Sequence, residues 1–187
     1  MNKNELVGLL LEIATLKWIP RTGWEMRGVP RVESVADHSY GVVFVSLALA
    51  DALQDVEWDV EKVLLMALFH DLAEVRVTDL PVSAANLISK EVKRQAELSA
   101  ITELLAPLSS GERWKALWQE FEDCASAEGC LVRDADKLEM MVQCLRYEQA
   151  GSRGLDEYWR TMDQWQWHFT LSAELYARLK EMRPRCG

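Results

Sequence analysis

Gly41-Val42-Val43-Phe44-Val45-Ser46-Leu47-Ala48-Leu49-Ala50 decides the fold class. Its Val and Phe could pass for a strand on residue preference. Length excludes that reading, because the pattern begins near Ser34 and continues through Ala50-Asp51-Ala52-Leu53, beyond the usual strand of about five or six residues. A helix is expected over about 34–53. Helical periodicity recurs on both sides. Residues 3–18 place Leu6, Leu9, Leu10, Ile13 and Leu16 near one face. The stretch 19–32, IPRTGWEMRGVPRV, holds two prolines and two glycines and reads as an ordered loop. Asp59 fits an N-cap for a helix from Val60 to about Val75. After Pro81 a helix is expected at about 87–106, ended by Pro107 and Ser109-Ser110-Gly111. Others are expected from Ser110 to about Ala125 and from Ala127 to Ala150, with Gly151 and Gly154 marking a turn. One or two helices complete the chain from Asp156 to Met182. Without repeat, low-complexity tract or linker, residues 1–187 are expected to form one all-α domain, a helical bundle.

Bulk properties narrow the function classes. A chain of 187 residues suits one domain with one sizeable core. A net charge of −9 argues against a nucleic acid polymer as partner, which calls for a basic face. A small anionic substrate stays open, since a metal and two arginines can supply local positive charge. No run approaches the roughly 18 apolar residues of a membrane span. The N-terminal MNKNELVGLLLEIATLKW carries Glu5, Glu12 and Lys17 and lacks a signal-cleavage pattern. Cys124, Cys130, Cys144 and Cys186 contain no CxxC. They are expected as reduced thiols of a cytoplasmic protein, two or three of them buried.

Chemistry concentrates in Leu68-Phe69-His70-Asp71-Leu72-Ala73-Glu74-Val75. An imidazole and a carboxylate close an apolar run, and a buried charge requires a partner. A cation between them resolves the cost. Adjacent helical residues point about 100° apart, so other segments must complete the sphere. His38 in ESVADHSYG and Asp136 in RDADKLEMM are candidates, the latter on a helix otherwise apolar at Leu131, Val132, Leu138, Met141 and Val142. Two imidazoles and two carboxylates suit one divalent ion of Mn, Co, Fe, Ni or Zn, with positions left for water and substrate. His168 in WQWHF reads as packing among aromatics.

The order His38, His70-Asp71, Asp136 resembles the HD-domain metal-dependent phosphohydrolases. The longer strings RTGWEMRGVPRVESVADHSYG, HDLAEVRVTDLP and DADKLEMM resemble its 5′-deoxynucleotidase branch, over roughly residues 3–150. The resemblance implies the HD-type bundle, a single metal on His38, His70, Asp71 and Asp136, and hydrolysis of deoxyribonucleoside 5′-monophosphates. Glu74 would align or deprotonate the attacking water; its i, i+4 spacing from His70 puts both on one helix face. Asp79 would assist the leaving group or contact the sugar, where the family usually has a glycine at the position of Thr78. Phosphate contacts would come from Trp24 and from Arg21 or Arg27, with Glu33 bracing the loop. A homodimer is expected on the same grounds. Alternatives are a di- or triphosphate or another small phosphomonoester as substrate, or a nucleotide sensor without turnover. The missing GYP signature argues against cyclic-dinucleotide phosphodiesterases, and the lack of histidines between Asp71 and Asp136 argues against a two-metal site.

Overall fold

The computed structural model describes residues 2–81 and 87–184. Its regular elements are helical, and among the described residues the sole β-type pairing is an isolated bridge between Pro20 and Ser34. Helix α1 spans Lys3–Ile13 and runs into a 3₁₀ turn over Ala14–Lys17. The short α2, Thr22–Glu25, lies inside the expected loop. Helix α3, Val35–Ala52, begins at Ser34 as expected: Ser34 accepts from Asp37 N while the Asp37 side chain accepts from Ser34 N. Its buried positions, Val35, His38, Ser39, Val42, Ser46, Leu49 and Ala50, recur at three- and four-residue spacing, confirming the helical reading of the 41–50 run.

Asp59 caps α4, Val60–Phe69, by accepting from Lys62 N at 3.0 Å. The helix expected to continue to Val75 instead breaks at His70. Leu72 N reaches Phe69 O and Glu74 N reaches Asp71 O, both at 3.0 Å, so the backbone tightens to i−3 bonding before α5, Glu74–Val77. The carbonyl freed at His70 accepts instead from Trp118 Nε1 at 3.2 Å. Then follow α6, Lys90–Leu105, and α7, Gly111–Glu122. Next come α8, Ala127–Gln149, α9, Asp156–Met162, and α10, Thr170–Glu181.

Helix α8 is the centre of the bundle and packs against α3, α4, α7, α9 and α10. Val42, Leu49, Val63, Met66, Ala67, Leu131, Val132, Ala135, Leu138 and Met141 form the main core between α3, α4 and α8. A second cluster joins Leu9, Leu16, Phe69, Leu72, Ile101, Leu104, Leu105 and Trp118. The α1 stripe is only half used: Leu9 and Leu16 are buried, whereas Leu6, Leu10 and Leu11 are exposed. The expectation of four reduced thiols is corrected. Cys124, just past α7, and Cys130, in the first turn of α8, are brought to a Cα separation of 4.9 Å and joined. Cys144 is a buried free thiol; Cys186 lies outside the described residues.

Candidate metal centre

Three pieces of chain meet at one point. His38 projects from the first turns of α3, His70 and Asp71 from the break after α4, and Asp136 from α8. His70 Nε2 lies 3.4 Å from His38 Nε2 and 3.2 Å from Asp71 Oδ2. His38 Nε2 lies 3.6 Å from Asp71 Oδ2 and 3.3 Å from Asp136 Oδ1. Metal bonds of about 2.0–2.2 Å to nitrogen and oxygen place neighbouring donor atoms about 3–3.6 Å apart. His38, His70 and Asp71 offer donor atoms that all lie within 4.8 Å of one another, while Asp136 joins the group through His38.

Both imidazoles are held through Nδ1. His70 Nδ1 donates to Ala67 O at 2.8 Å, and His38 Nδ1 meets Glu139 Oε2 at 2.5 Å. Engaging Nδ1 leaves each Nε2 lone pair facing the cluster, the usual outer-sphere device of metal-bound histidine. Glu139 is one turn from Asp136, so α8 supplies both the candidate ligand and the residue that holds His38. Gly41, one turn from His38 on α3, makes room for it: a Cβ there would stand 2.6 Å from Glu139 Oε1 and 2.7 Å from its Cγ. Neither Glu139 nor the Trp118 bond to His70 O was anticipated. The i, i+3 spacing of Asp136 and Glu139 was the available signal; nothing local marks Trp118.

The acids around the cluster diverge in affinity for protons. Burial disfavours the charged form of Asp71, but His70, Arg21 and His38 outweigh it and hold the carboxyl well below its ordinary range. Asp136 is likewise held low against burial, by Lys137 and by His38. Burial and Arg21 oppose charge on His38, yet the bonds to Asp136 and Glu139 raise it to about 9. Glu74 is pushed up to about 9 by burial and by Asp71, with Arg21 acting against them. Its Oε2 is buried without a hydrogen-bond partner, a costly state for a lone carboxyl. A divalent cation would favour neutral imidazole and charged carboxylate here. The donor set and the spacing of His38, His70 and Asp71 fit a divalent cation, and the unpaired Glu74 carboxyl would be placed to accept a proton from water. The break at 70–73 also revises the helix-face argument: a tightened turn, rather than a continuous helix, links His70 to Glu74.

The 19–34 loop is pinned to the site by Arg21 N donating to Glu33 O at 3.0 Å and Val35 N to Ile19 O at 2.9 Å. Arg21 Nη1 then reaches Asp71 Oδ2 at 3.2 Å and Asp79 Oδ1 at 3.1 Å. Asp79 also accepts from Thr22 N at 2.5 Å, and its carbonyl accepts from Thr22 Oγ1 at 2.9 Å. Thr78, before it, has φ +62°, the left-handed region that glycine favours. Arg27 lies apart: it pairs with Glu157 and sits over the Tyr158 ring, 4.9 Å from its centroid. Trp24 is 2% exposed and lies beneath the loop. Its Nε1 donates to Glu33 at 2.8 Å, and its ring packs on Tyr147 and Tyr158. His168 is more than aromatic packing, correcting that reading: its Nδ1 bonds Asp134 Oδ1 at 2.8 Å and its Nε2 lies 3.4 Å from Cys124 Sγ.

The chain is similar to proteins already known. The chain is 41% identical over 141 residues to 5′-deoxynucleotidase HDDC2 of Dictyostelium discoideum, covering 72% of this chain and 73% of that protein. It is 34% identical over 145 residues to 5′-deoxynucleotidase HDDC2 of Homo sapiens, covering 76% and 68%. Among solved structures, a conserved hypothetical protein from Pyrococcus furiosus superposes with a TM-score of 0.79 at 40% identity, covering 94% of this chain and 98% of that one. The HD domain family model matches residues 13–169, and the chain belongs to the HD domain family.

Proposed function

We propose that this protein is a metal-dependent 5′-deoxynucleotidase that hydrolyses deoxyribonucleoside 5′-monophosphates to deoxynucleoside and phosphate. The observation that carries the reading is the convergence of His38, His70, Asp71 and Asp136 beside the unpaired Glu74 carboxyl, in a chain whose curated relatives bear that activity in their names. When held by the four ligands, one divalent ion (Mn, Co, Fe, Ni or Zn) supplies Lewis acidity and brings the pKa of a bound water towards neutrality. Glu74, nearby and with a free oxygen, receives the proton of the attacking water. Arg21 spends only Nη1 on Asp71 and Asp79, so Nε and Nη2 can meet phosphoryl oxygens in the planar fork that suits them. Asp79, held against the loop by Thr22 and Arg21, would contact the sugar or assist the departing 5′ oxygen, whose proton is the one Glu74 takes from the attacking water. Trp24 and Glu33 position the loop that carries Arg21.

The cation supply supports a monophosphate. Arg27 is paired with Glu157, and Arg76 with Glu12 and Glu103, which leaves Arg21 and Lys137, 2.7 Å from Asp136, as the cations beside the ligands, enough for one phosphate rather than three. Residues 1–187 would act as one unit, supported by the packing of α9 and α10 on α8. The exposed Tyr40, Phe44 and Leu47 of α3 and Leu10 and Leu11 of α1 support a homodimer, which light scattering would test. The nucleotide substrate supports the cytoplasm as its compartment; no helix among the described residues is long and apolar enough to cross a membrane.

The deciding experiment is phosphate release from deoxy- and ribonucleoside 5′-monophosphates by metal-stripped protein refilled separately with Mn, Co, Zn or Mg, beside Asp71→Ala. Release confined to the deoxy series and lost in the variant is expected. No release from any monophosphate, with ion bound stoichiometrically, would overturn the reading.

A further inference from the structure

A second group of ligating atoms lies on the other side of α8. Cys124 Sγ, Cys130 Sγ and His168 Nε2 all fall within 4.8 Å of one another. Cys130 and Asp134 belong to α8, as does Asp136, but Asp134 and Asp136 point about 200° apart around the helix. The group is therefore separate from the HD centre.

Two features set it apart from a chance meeting of side chains. The first is how His168 is held. Asp134 is fully buried and devotes its carboxylate to the 168–169 backbone and to the imidazole. It accepts from His168 N at 3.1 Å, Phe169 N at 3.1 Å and His168 Nδ1 at 2.8 Å. That fixes the proton on Nδ1 and aims the Nε2 lone pair at the sulfurs, with Cys124 Sγ 3.4 Å away. A carboxylate–histidine pair aimed at thiols is the arrangement that orients histidine on zinc. The second is the backbone of Cys124. It has φ +47°, at the left-handed position that closes α7, with Ala125 N donating to Glu120 O and Cys124 N to Phe121 O. Glycine or asparagine is the usual occupant. A cysteine there accepts backbone strain and gains a placed sulfur.

We propose that the reduced Cys124–Cys130 pair and His168 form a peripheral binding site for a thiophilic divalent cation, with Zn(II) as the reference ion. In the structure the sulfurs are joined, and a disulfide offers no thiolate. A dithiol supplies two electrons and two protons to give two thiols; a phosphine supplies the two electrons and leaves as its oxide, with water providing both protons and the oxygen. Binding then releases both protons as two thiolates and one neutral imidazole take the cation. The fourth position opens on a surface hollow of about 330 Å³ lined by Arg133, Gln164, Trp165 and Gln166 beside Cys124 and His168, so water or a small anion completes the sphere. This is a Cys₂His set, softer than the two-histidine, two-carboxylate HD centre. It will compete for zinc while leaving Mn or Mg to the other site.

The test is anaerobic Co(II) titration of the full-length, phosphine-reduced protein. Thiolate-to-cobalt charge transfer in the near ultraviolet can arise only from a cysteine site, and the HD ligands include none. In the His70→Ala background, where the HD centre is broken, one equivalent of cobalt should develop the band, and one equivalent of zinc should bleach it. The band should persist in His70→Ala, vanish in Cys130→Ser and His168→Ala, and need roughly 10–100-fold more metal in Asp134→Asn. Because Cys130→Ser could disturb the α7–α8 turn, alkylation with mass mapping gives a second readout on the unmutated chain. Zinc should protect Cys124 and Cys130 at least tenfold. No band in the reduced protein, a band unchanged by Cys130→Ser and His168→Ala, or a disulfide that re-forms equally fast with and without zinc would each overturn the proposal.

Discussion

Gly41→Ala tests the link between α3 and the metal centre with a single methyl group. In an ordinary helix interior the change stabilises by about 0.5–1 kcal/mol. Here the new Cβ would stand 2.6, 2.7 and 2.9 Å from Oε1, Cγ and Cδ of Glu139. Three atoms of one carboxylate arm are involved, so the arm must swing away from His38 Nδ1, which it meets at 2.5 Å. A hydrogen bond to a charged group contributes about 1.5–3 kcal/mol. The net expectation in chelator-treated protein is a loss of about 0.5–2.5 kcal/mol by urea denaturation, with metal affinity down roughly 10–100-fold by chelator competition. In a Glu139→Ala background no arm is left to displace, and the same substitution should stabilise by the full helical increment. The sign of the effect therefore inverts between backgrounds, a coupling that additive contributions do not produce. If Gly41→Ala stabilises both backgrounds equally, Glu139 does not hold His38 and the positioning argument fails.

Glu74→Gln keeps the shape of the side chain and removes the proton acceptor; kcat should fall about 10²–10⁴-fold while metal affinity moves less than threefold, and retention of turnover would remove Glu74 from the chemistry. Thr78→Gly should stabilise by roughly 1 kcal/mol, since relief of a strained φ of +62°, about 1–3 kcal/mol, exceeds the entropy cost of glycine; thermal denaturation reads it. Glu33 is raised to about 7, chiefly by burial and by Glu139. An acid raised on folding contributes stability that is full below its unfolded value and lost as pH rises towards 7, so Glu33→Gln should flatten the stability profile between about pH 4.5 and 7, by about 1–3 kcal/mol. A profile that keeps its slope in the variant would assign that slope to another group.

What the sequence exposes and hides follows from the range of the forces involved. Helix α3 was legible because apolar spacing and the Ser34 cap are local, and Asp59 announced α4 in the same way. The break at His70 was not legible: LFHDLAEV contains neither glycine nor proline, and the turn is held by Trp118, 48 residues away. The four cation-binding candidates could be picked out because buried polar groups among apolar neighbours demand a reason. Glu139 was missed because one acid more on a charged helix stands out only once Gly41 is seen opposite it. Arg21 and Arg27 looked equivalent along the chain, and Glu157 and Asp79, both distant in sequence, separate them. His168 looked like filler because its partner Asp134 sits 34 residues earlier.

The side chains at positions 38, 70, 71 and 136 come from α3, the break after α4 and α8, segments that an unfolded chain does not hold together. An ion seated among them would bind the native state alone, and mass action would make it part of the folding equilibrium. Each tenfold rise in free ion above the dissociation constant then adds about 1.4 kcal/mol to the resistance to unfolding, roughly 2.7 kcal/mol at a hundredfold excess. Scarcity of the ion is felt twice, as fewer loaded sites and as a weaker bundle. Melting temperature becomes a gauge of metal supply, and comparisons between preparations are meaningful only at a stated free-ion concentration.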